Sequence, residues 1–396
     1  MRQVVIGRYG RTPFSRARPK QPELDPLSEF TAEELLASIL PRLLQEAQVA
    51  TNEVDDFVVG CALGVGEQWT FGGRTSSLLS GMATSVPARF IDMQCGSGMA
   101  AIQTGFMEIA TGQADIVIAC GMEHMTRVPV GPKLFETGCL AVNSKLYRPT
   151  DDGDMVTGLN MGLTAELLAE QGGYTRRRLD EYAVESHRRA GAAQDRGFLQ
   201  GEILPVHFDC VGESPRLAVD QSIRRETCLA DLAQLKSPFK QEGVITAGNS
   251  SPLNAGAAAM VLMAEDVAKA RGIAPLARLV SCGLAGVRPE MMGTGPVPAT
   301  QKALHHAGLR VQDMDFWEIN EAFSVVVLNA ATQLGIDLNQ VNVNGGALAI
   351  GHPLGATGIR LVGTLARTLQ LQDKQRGCAS ACVGGGQGIA MVIETC

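Results

Sequence analysis

Three short segments in the first third of the chain recur, in the same order, in the last third. Val54-Asp55-Asp56-Phe57-Val58-Val59-Gly60-Cys61-Ala62 aligns with Asp313-Met314-Asp315-Phe316-Trp317-Glu318-Ile319-Asn320-Glu321, 259 positions later. Cys95-Gly96-Ser97-Gly98 aligns with Gly355-Ala356-Thr357-Gly358 at a separation of 260, and Ala119-Cys120-Gly121 with Ala381-Cys382-Val383 at 262. An offset that drifts by so little across three matches is the mark of an internal duplication. It restricts the chain to two equivalent halves about a pseudo-twofold axis, with a long insertion in the first. Residues 1–121 with 246–267 form one half, 122–245 the insertion, and 268–396 the other half.

Within each half, strand and helix patterns alternate. Strands are predicted at 3–7, 56–62, 88–93 and 115–120, and again at 276–284, 315–319, 341–343, 378–383 and 388–394. Helices are predicted near 74–82, 97–110, 299–307, 321–333 and 356–369. Another starts at Thr31, where Glu34 completes a capping box ahead of Leu35, Leu36, Ile39, Leu40, Leu43 and Leu44. Such alternation argues for α/β layers. The insertion reads as two helices, near 156–170 and 177–195. Its Arg176, Arg177, Arg178, Arg188 and Arg189 suit a solvated helix face better than a ligand site.

The composition, with 45% hydrophobic and 19% charged residues among 396, allows a large core. A net charge of −7 and only 5% aromatics speak against nucleic acid as a partner. No apolar run reaches the ~20 residues that span a bilayer. Met1–Gly7 enters a strand-like run directly, and Ile393–Cys396 is not a peroxisomal address, so a cytoplasmic location is expected. The ten cysteines are scattered and expected to be reduced. Cys378-Ala-Ser-Ala-Cys382 has no second pair with which to hold zinc, and no metal is expected.

Four residues stand where chemistry gathers. Cys95 follows the strand-like Ile91-Asp92-Met93 and opens an apolar helix; a helix start favours a thiolate and can hold an oxyanion. The competing reading is a small buried cysteine, and local context leaves both open. His352, in Gly351-His352-Pro353-Leu354-Gly355, is the one histidine of six flanked by glycines; His187, His305 and His306 read as surface residues. The duplication sets its helix start against that of Cys95, so a base falls near a thiol. Cys382 leads the glycine run Val383-Gly384-Gly385-Gly386-Gln387-Gly388, which fits neither GxGxxG nor a P-loop. Asn320-Glu321-Ala322-Phe323 ends a strand, at the mouth where α/β sites form.

The segments around Cys95, Asn320, His352 and Cys382 resemble the four signature blocks of the thiolase family, in order and at matching separations. Arg11-Thr12-Pro13-Phe14, Gly121-Met122-Glu123-His124-Met125, Met161–Glu166, Thr246–Ser251 and Asn342–Gly346 extend the likeness over nearly the whole chain. The resemblance implies two duplicated βαβαβαββ halves in αβαβα layers with an inserted loop domain. It implies thiolytic cleavage of 3-ketoacyl-CoA, and the reverse Claisen condensation, through acyl-Cys95. His352 would take the thiol's proton, and Cys382 would protonate the acetyl-CoA enolate. Asn320 would hold a water in one oxyanion hole, with the N–H groups of Cys95 and Gly384 forming the other.

Coenzyme A would be substrate, with no permanently bound cofactor. By resemblance, Arg224 or the adjacent Arg225 meets its phosphate end, Ser251 its pantetheine, and Met161, Phe239, Met292 and Phe323 line the acyl pocket. A homodimer or homotetramer is implied, and a β-oxidation partner subunit is compatible with it. The chain departs from the family pattern at Asn160, where short-chain biosynthetic members resemble His-Met, and at Gly96, where Ser is commoner.

Three rivals are weaker. A ketoacyl synthase of related fold lacks a second acid/base cysteine, a non-catalytic CoA-thioester or lipid-binding protein has no need of this set, and a cysteine hydrolase leaves Cys382 and Asn320 idle.

Overall fold

The computed structural model describes residues 2–130, 142–206 and 216–396, so Cys139, His207 and Cys210 lie outside the described residues. The first half runs β1 (Val4–Arg11), a two-residue β2 (Ser15–Arg16), α1 (Ala32–Glu46), β3 (Asp56–Gly60), α2 (Arg74–Leu79), β4 (Ala88–Ile91), α3 (Ser97–Ala110), β5 (Ile116–His124) and β6 (Asn254–Ala264). Between β5 and β6 the insertion supplies α4 (Met161–Gly172) and α5 (Arg176–Asp195). The second half runs β7 (Ala277–Gly286), α6 (Pro296–Ala307), β8 (Phe316–Ile319), α7 (Ser324–Leu334), α8 (Leu354–Leu371), β9 (Arg376–Val383) and β10 (Gln387–Glu394).

The strands form the order β4-β3-β5-β6-β1-β7-β10-β9-β8, with β2 paired to β6. The halves join where Val4–Ile6 of β1 pair antiparallel with Ala277–Leu279 of β7. Outward from that seam the two halves use their strands in the same topological order. The strand expected at 341–343 shrinks to a single bridge, Val341 with Trp317.

Period-two alternation assigns each strand face to a layer. Phe57, Val59, Ile118 and Cys120 join Leu35, Leu36, Ile39, Leu40, Leu43 and Leu44 of α1 in one outer core. Val58, Val117 and Ala119 face inward to Met99 and Ile102 of α3 and to Ile359 and Val362 of α8. In the second half Ala379, Ala381, Ile389 and Met391 join that central core. Cys378, Cys382 and Val392 face α6, α7 and the insertion helices. The result is five layers, αβαβα, with α3 and α8 in the middle. Thr31 caps α1 as expected: Glu34 N–H donates to Thr31 Oγ1 at 3.2 Å, and Thr31 N–H to Glu34 Oε2 at 2.6 Å.

Glycine lets the two central helix starts meet backbone to backbone. A Cβ on Gly98 would stand 2.4 Å from Gly355 O, and one on Gly358 would stand 2.1 Å from Met99 N. No side chain fits there without driving the helices apart.

Strand β6 and the insertion arginines depart from expectation. Strand β6 went unread because Asn-Ala-Gly-Ala-Ala-Ala-Met-Val-Leu-Met-Ala carries the composition of a helix. All eleven of its residues are buried, and small side chains let it lie between β5 and β1 with helices on both faces. The insertion arginines form no uniform solvated face. Arg177, Arg178 and Arg188 do make exposed pairs with Glu181 and Glu185. Arg176 instead binds Asp180 and the carbonyls of Leu232 and Leu235, and Arg189 binds those of Leu338 and Val341, so both fasten α5 to its surroundings.

Candidate active site

The chain enters α3 through a tight turn at Gln94–Gly96. Gln94 adopts the left-handed conformation at φ +47°, uncommon for a residue with a side chain. It is held there by Asp92 Oδ1, which accepts from its N–H at 2.9 Å. Ser97 closes the turn, accepting from Met93 N–H at 2.9 Å and donating to Gln94 O at 2.7 Å. This geometry projects Cys95 toward the β9–β10 hairpin. Burial pushes the Cys95 thiol up to about 11, while the N–H groups of Gly384 and of Cys95 itself work in the other direction.

Cys382 is buried on β9, two residues before Gly384. Burial drives its thiol well above the ordinary range, and the nearby Cys95 sulfur adds to the rise. Both thiols are therefore neutral at rest, and a charge on Cys95 would disfavour one on Cys382. Both belong to the free cysteines among the described residues.

His352 lies in the turn before α8, three residues ahead of Gly355, as Cys95 lies three ahead of Gly98. The touching of Gly98 and Gly355 brings both turns to one junction. Thr357 Oγ1 donates to Pro353 O at 2.8 Å, so its contact with His352 Nδ1 at 2.7 Å has the imidazole N–H as donor. That leaves Nε2 as the acceptor, 3.2 Å from Asn320 Nδ2. Burial, and then the charge of Arg360, hold His352 down to about 3, so it is neutral at rest, with Nε2 unprotonated. Asn320 Oδ1 is buried with no hydrogen-bond partner among the described residues.

Two buried carboxylates brace this centre. Glu123 accepts from the N–H groups of Ala62 (2.9 Å) and Gly355 (3.0 Å) and from Gln68 Nε2 (2.7 Å), tying β3 to the start of α8. Glu321, next to Asn320, accepts from Tyr182, Ser186, Asn342 and Leu348 N–H. Insertion, second half and site are thereby locked together.

Sequence comparison identifies the family. The family model "Thiolase, N-terminal domain" matches residues 4–266, and "Thiolase, C-terminal domain" matches 273–395. The chain belongs to the thiolase family. It is 40% identical over 374 residues to an acetyl-CoA acetyltransferase of Allochromatium vinosum, covering 93% of this chain and 94% of the relative. It is 39% identical over 400 residues to a 3-ketoacyl-CoA thiolase of Marinobacter nauticus, covering 99% and 98%. Among solved structures, human mitochondrial 3-ketoacyl-CoA thiolase in complex with CoA superposes with a TM-score of 0.87 at 34% identity, covering 100% of this chain and 98% of that one.

Other expected thiolase positions fall into two groups. Met292, Phe323 and Cys382 share one buried cluster with Met161 packed against it. Met161 Sδ would lie 3.5 Å from a Cβ on Gly384. Phe239 is 37% exposed and stacks on Gly162, at the rim of that cluster. Ser251 is half-buried, its N–H bound to Ala322 O at 2.9 Å beside the Asn320 strand end.

The paired arginines differ in their partners. Arg225 is tied to Asp195 (2.8 Å) and Gln194 (2.7 Å), whereas Arg224 is exposed and its N–H donates to His187 Nδ1 at 3.1 Å. His187 is buried, a correction to its reading as a surface residue; burial and the charge of Arg224 hold it down to about 4. Arg16 is likewise held below its ordinary value by burial, then by Arg224 and Arg18. Arg16 N–H also donates to Gln221 Oε1 at 2.8 Å, which brings its backbone beside the segment that carries Arg224. Reading along the chain missed Arg16 and Arg18, which lie about 200 residues from Arg224.

Both departures from the family pattern have local causes. Asn160 Oδ1 accepts from Leu163 N–H at 3.2 Å and caps α4. A Cβ on Gly96 would come within 2.9 Å of Val383 Cγ2, so glycine lets β9 close on the nucleophile turn.

Proposed function

We propose that this thiolase cleaves 3-ketoacyl-CoA with coenzyme A, and runs the reverse condensation, through an acyl group on Cys95. The observation that carries this reading is that one hairpin serves two thiols, Cys95 receiving the Gly384 N–H and Cys382 buried on the strand that leads to it. His352 Nε2, unprotonated and directed by Thr357, takes the Cys95 proton as the sulfur attacks the 3-keto carbon. The N–H groups of Cys95 and Gly384 hold the oxyanion that forms. Collapse breaks the C2–C3 bond and leaves an acetyl-CoA enolate. Its oxygen is stabilised by His352 and by a water on Asn320 Oδ1, and its carbon takes the Cys382 proton. The Cys382 thiolate then deprotonates incoming CoA, whose sulfur takes the acyl group from Cys95, and the Cys95 sulfur recovers its proton from His352.

Coenzyme A is read as lying along the insertion, its phosphates met by Arg224 with Arg16 and Arg18, its pantetheine by Ser251. Met161, Phe239, Met292 and Phe323 line the acyl end. We assign 1–121 with 246–267 and 268–396 as the two catalytic halves and 122–245 as the CoA-binding insertion. A homo-oligomer is proposed because β4 is a sheet edge with half-exposed side chains, and Trp69 and Phe71 beyond it are 62% and 66% exposed. A cytoplasmic location is proposed; among the described residues no helix is long and apolar enough to cross a membrane.

The test is a thiolysis assay over a series of 3-ketoacyl-CoA chain lengths with purified protein. CoA-dependent release of acetyl-CoA supports the reading. Hydrolysis without CoA, or no turnover at any length, overturns it.

A further inference from the structure

Asn254, the first residue of β6, is fully buried beside the site and has no part in the chemistry above. Its side chain makes three hydrogen bonds to three different segments. Oδ1 accepts from His352 N–H at 2.8 Å. Nδ2 donates to Ser15 O at 2.8 Å and to Ser222 Oγ at 3.2 Å. The orientation of the amide is forced, because a carbonyl such as Ser15 O can only accept and a backbone N–H such as that of His352 can only donate. The fit is close. Gly351, at φ +119°, would place a Cβ 2.6 Å from Asn254 Nδ2, so the turn carrying His352 is moulded on this side chain. On the other side, Ser222 begins Ser222-Ile223-Arg224, and the preceding Gln221 is bound to Phe14 O and Arg16 N–H.

We propose that Asn254 is a positioning residue that sets His352 against Cys95 and joins that setting to the segment bearing Arg224. This rests on the thiolase reading for its coenzyme A side only. The His352 side depends solely on a thiol and its base. Without the Oδ1 acceptor, the His352 turn loses its register and the Cys95 proton loses its path. Without the Nδ2 donor, the Ser222–Arg224 segment shifts and coenzyme A binds more weakly.

The experiment measures iodoacetamide alkylation of Cys95 by peptide mass across pH, without substrate, and separately kcat and KM for CoA in thiolysis. Asn254→Ala is expected to slow alkylation at neutral pH by about tenfold, the scale of one buried group left unpaired, and to converge on the parent rate at high pH, where the thiol ionises without a base, so that the rise of the profile shifts upward. A loss of folded protein would lower the amplitude without moving the profile. Ser222→Ala removes only the loop-side bond and is expected to raise KM for CoA by about threefold. Should Asn254→Ala not fold, Asn254→Ser, with a shorter side chain that cannot reach all three partners, carries the alkylation test with the same expected shift. An unchanged alkylation profile in the folded variant overturns the His352 side, and an unchanged KM in Ser222→Ala overturns the link to coenzyme A. Failure of the thiolase reading looks different: the parent protein itself would show no thiolysis.

Discussion

Replacing Thr357 by valine keeps the shape of the side chain and removes the hydroxyl that fixes the His352 tautomer. In the parent, the 2.7 Å bond from Nδ1–H to Thr357 Oγ1 leaves Nε2 free to accept. Valine strands Nδ1–H in a fully buried position, at a cost of about 1–3 kcal/mol. The ring can escape by moving its proton to Nε2 while Asn320 turns its amide to offer Oδ1, and that exchange removes the base. At 1.36 kcal/mol per decade, the penalty corresponds to a fall of roughly fivefold to 150-fold in productive enzyme. Pre-steady-state acylation of Cys95 reads this directly, with circular dichroism as the folding control and Thr357→Ser, which keeps the hydroxyl, expected near the parent. Acylation by folded Thr357→Val within twofold of the parent would refute the reasoning.

The remaining predictions follow from the same geometry. With the Cys95 thiol near 11 and His352 near 3, the resting site holds two neutral groups. Alkylation of Cys95 should therefore keep rising through pH 9, and a plateau below pH 7 would reveal a standing ion pair instead. Because burial, and then Arg360, depress His352 from 6.5, the unfolded chain binds its proton first. The stability linked to this group is complete above about pH 6.5 and is lost as pH falls toward 3, which acid titration of unfolding would follow. Arg224→Ala should raise KM for CoA by about tenfold, the scale of a lost charged hydrogen bond, whereas Arg225→Ala, already paired with Asp195, should change it less than about twofold. Gly98→Ala forces a methyl against Gly355 O and should destabilise by about 1–3 kcal/mol in thermal unfolding. An unchanged transition would contradict the close contact of the central helices.

The fold was legible chiefly because duplication doubled the signal. The match of Gly98 with Gly358 marked the contact that now joins the two central helices, and Cys95 and His352 were paired through it. The same alignment set Ser97 against Thr357, and both hydroxyls turn back on the preceding turn. The role of Thr357 was therefore within reach but unread, since it becomes visible only once a ring nitrogen lies beside it. Strand β6 stayed hidden because its alanines answer to neighbours on both faces, and periodicity cannot show a strand with no exposed side. Arg16, Arg18 and Asn254 were invisible for another reason. Their partners are distant in sequence, and no local pattern announces a contact made by folding alone. Arg176 and Arg189 show the converse, where helical charge spacing suggested solvent and the guanidinium groups instead cap carbonyls of neighbouring segments.

The division of labour between the two thiols is the centre of this account, and intact-mass analysis with peptide mapping after mixing with acetyl-CoA tests it most directly. One acetyl group per chain should appear on the peptide containing Cys95, and it should appear equally in Cys382→Ser, which should then fail to form a carbon–carbon bond. An acetyl group carried by Cys382, or retained at the parent rate by Cys95→Ala, would contradict it.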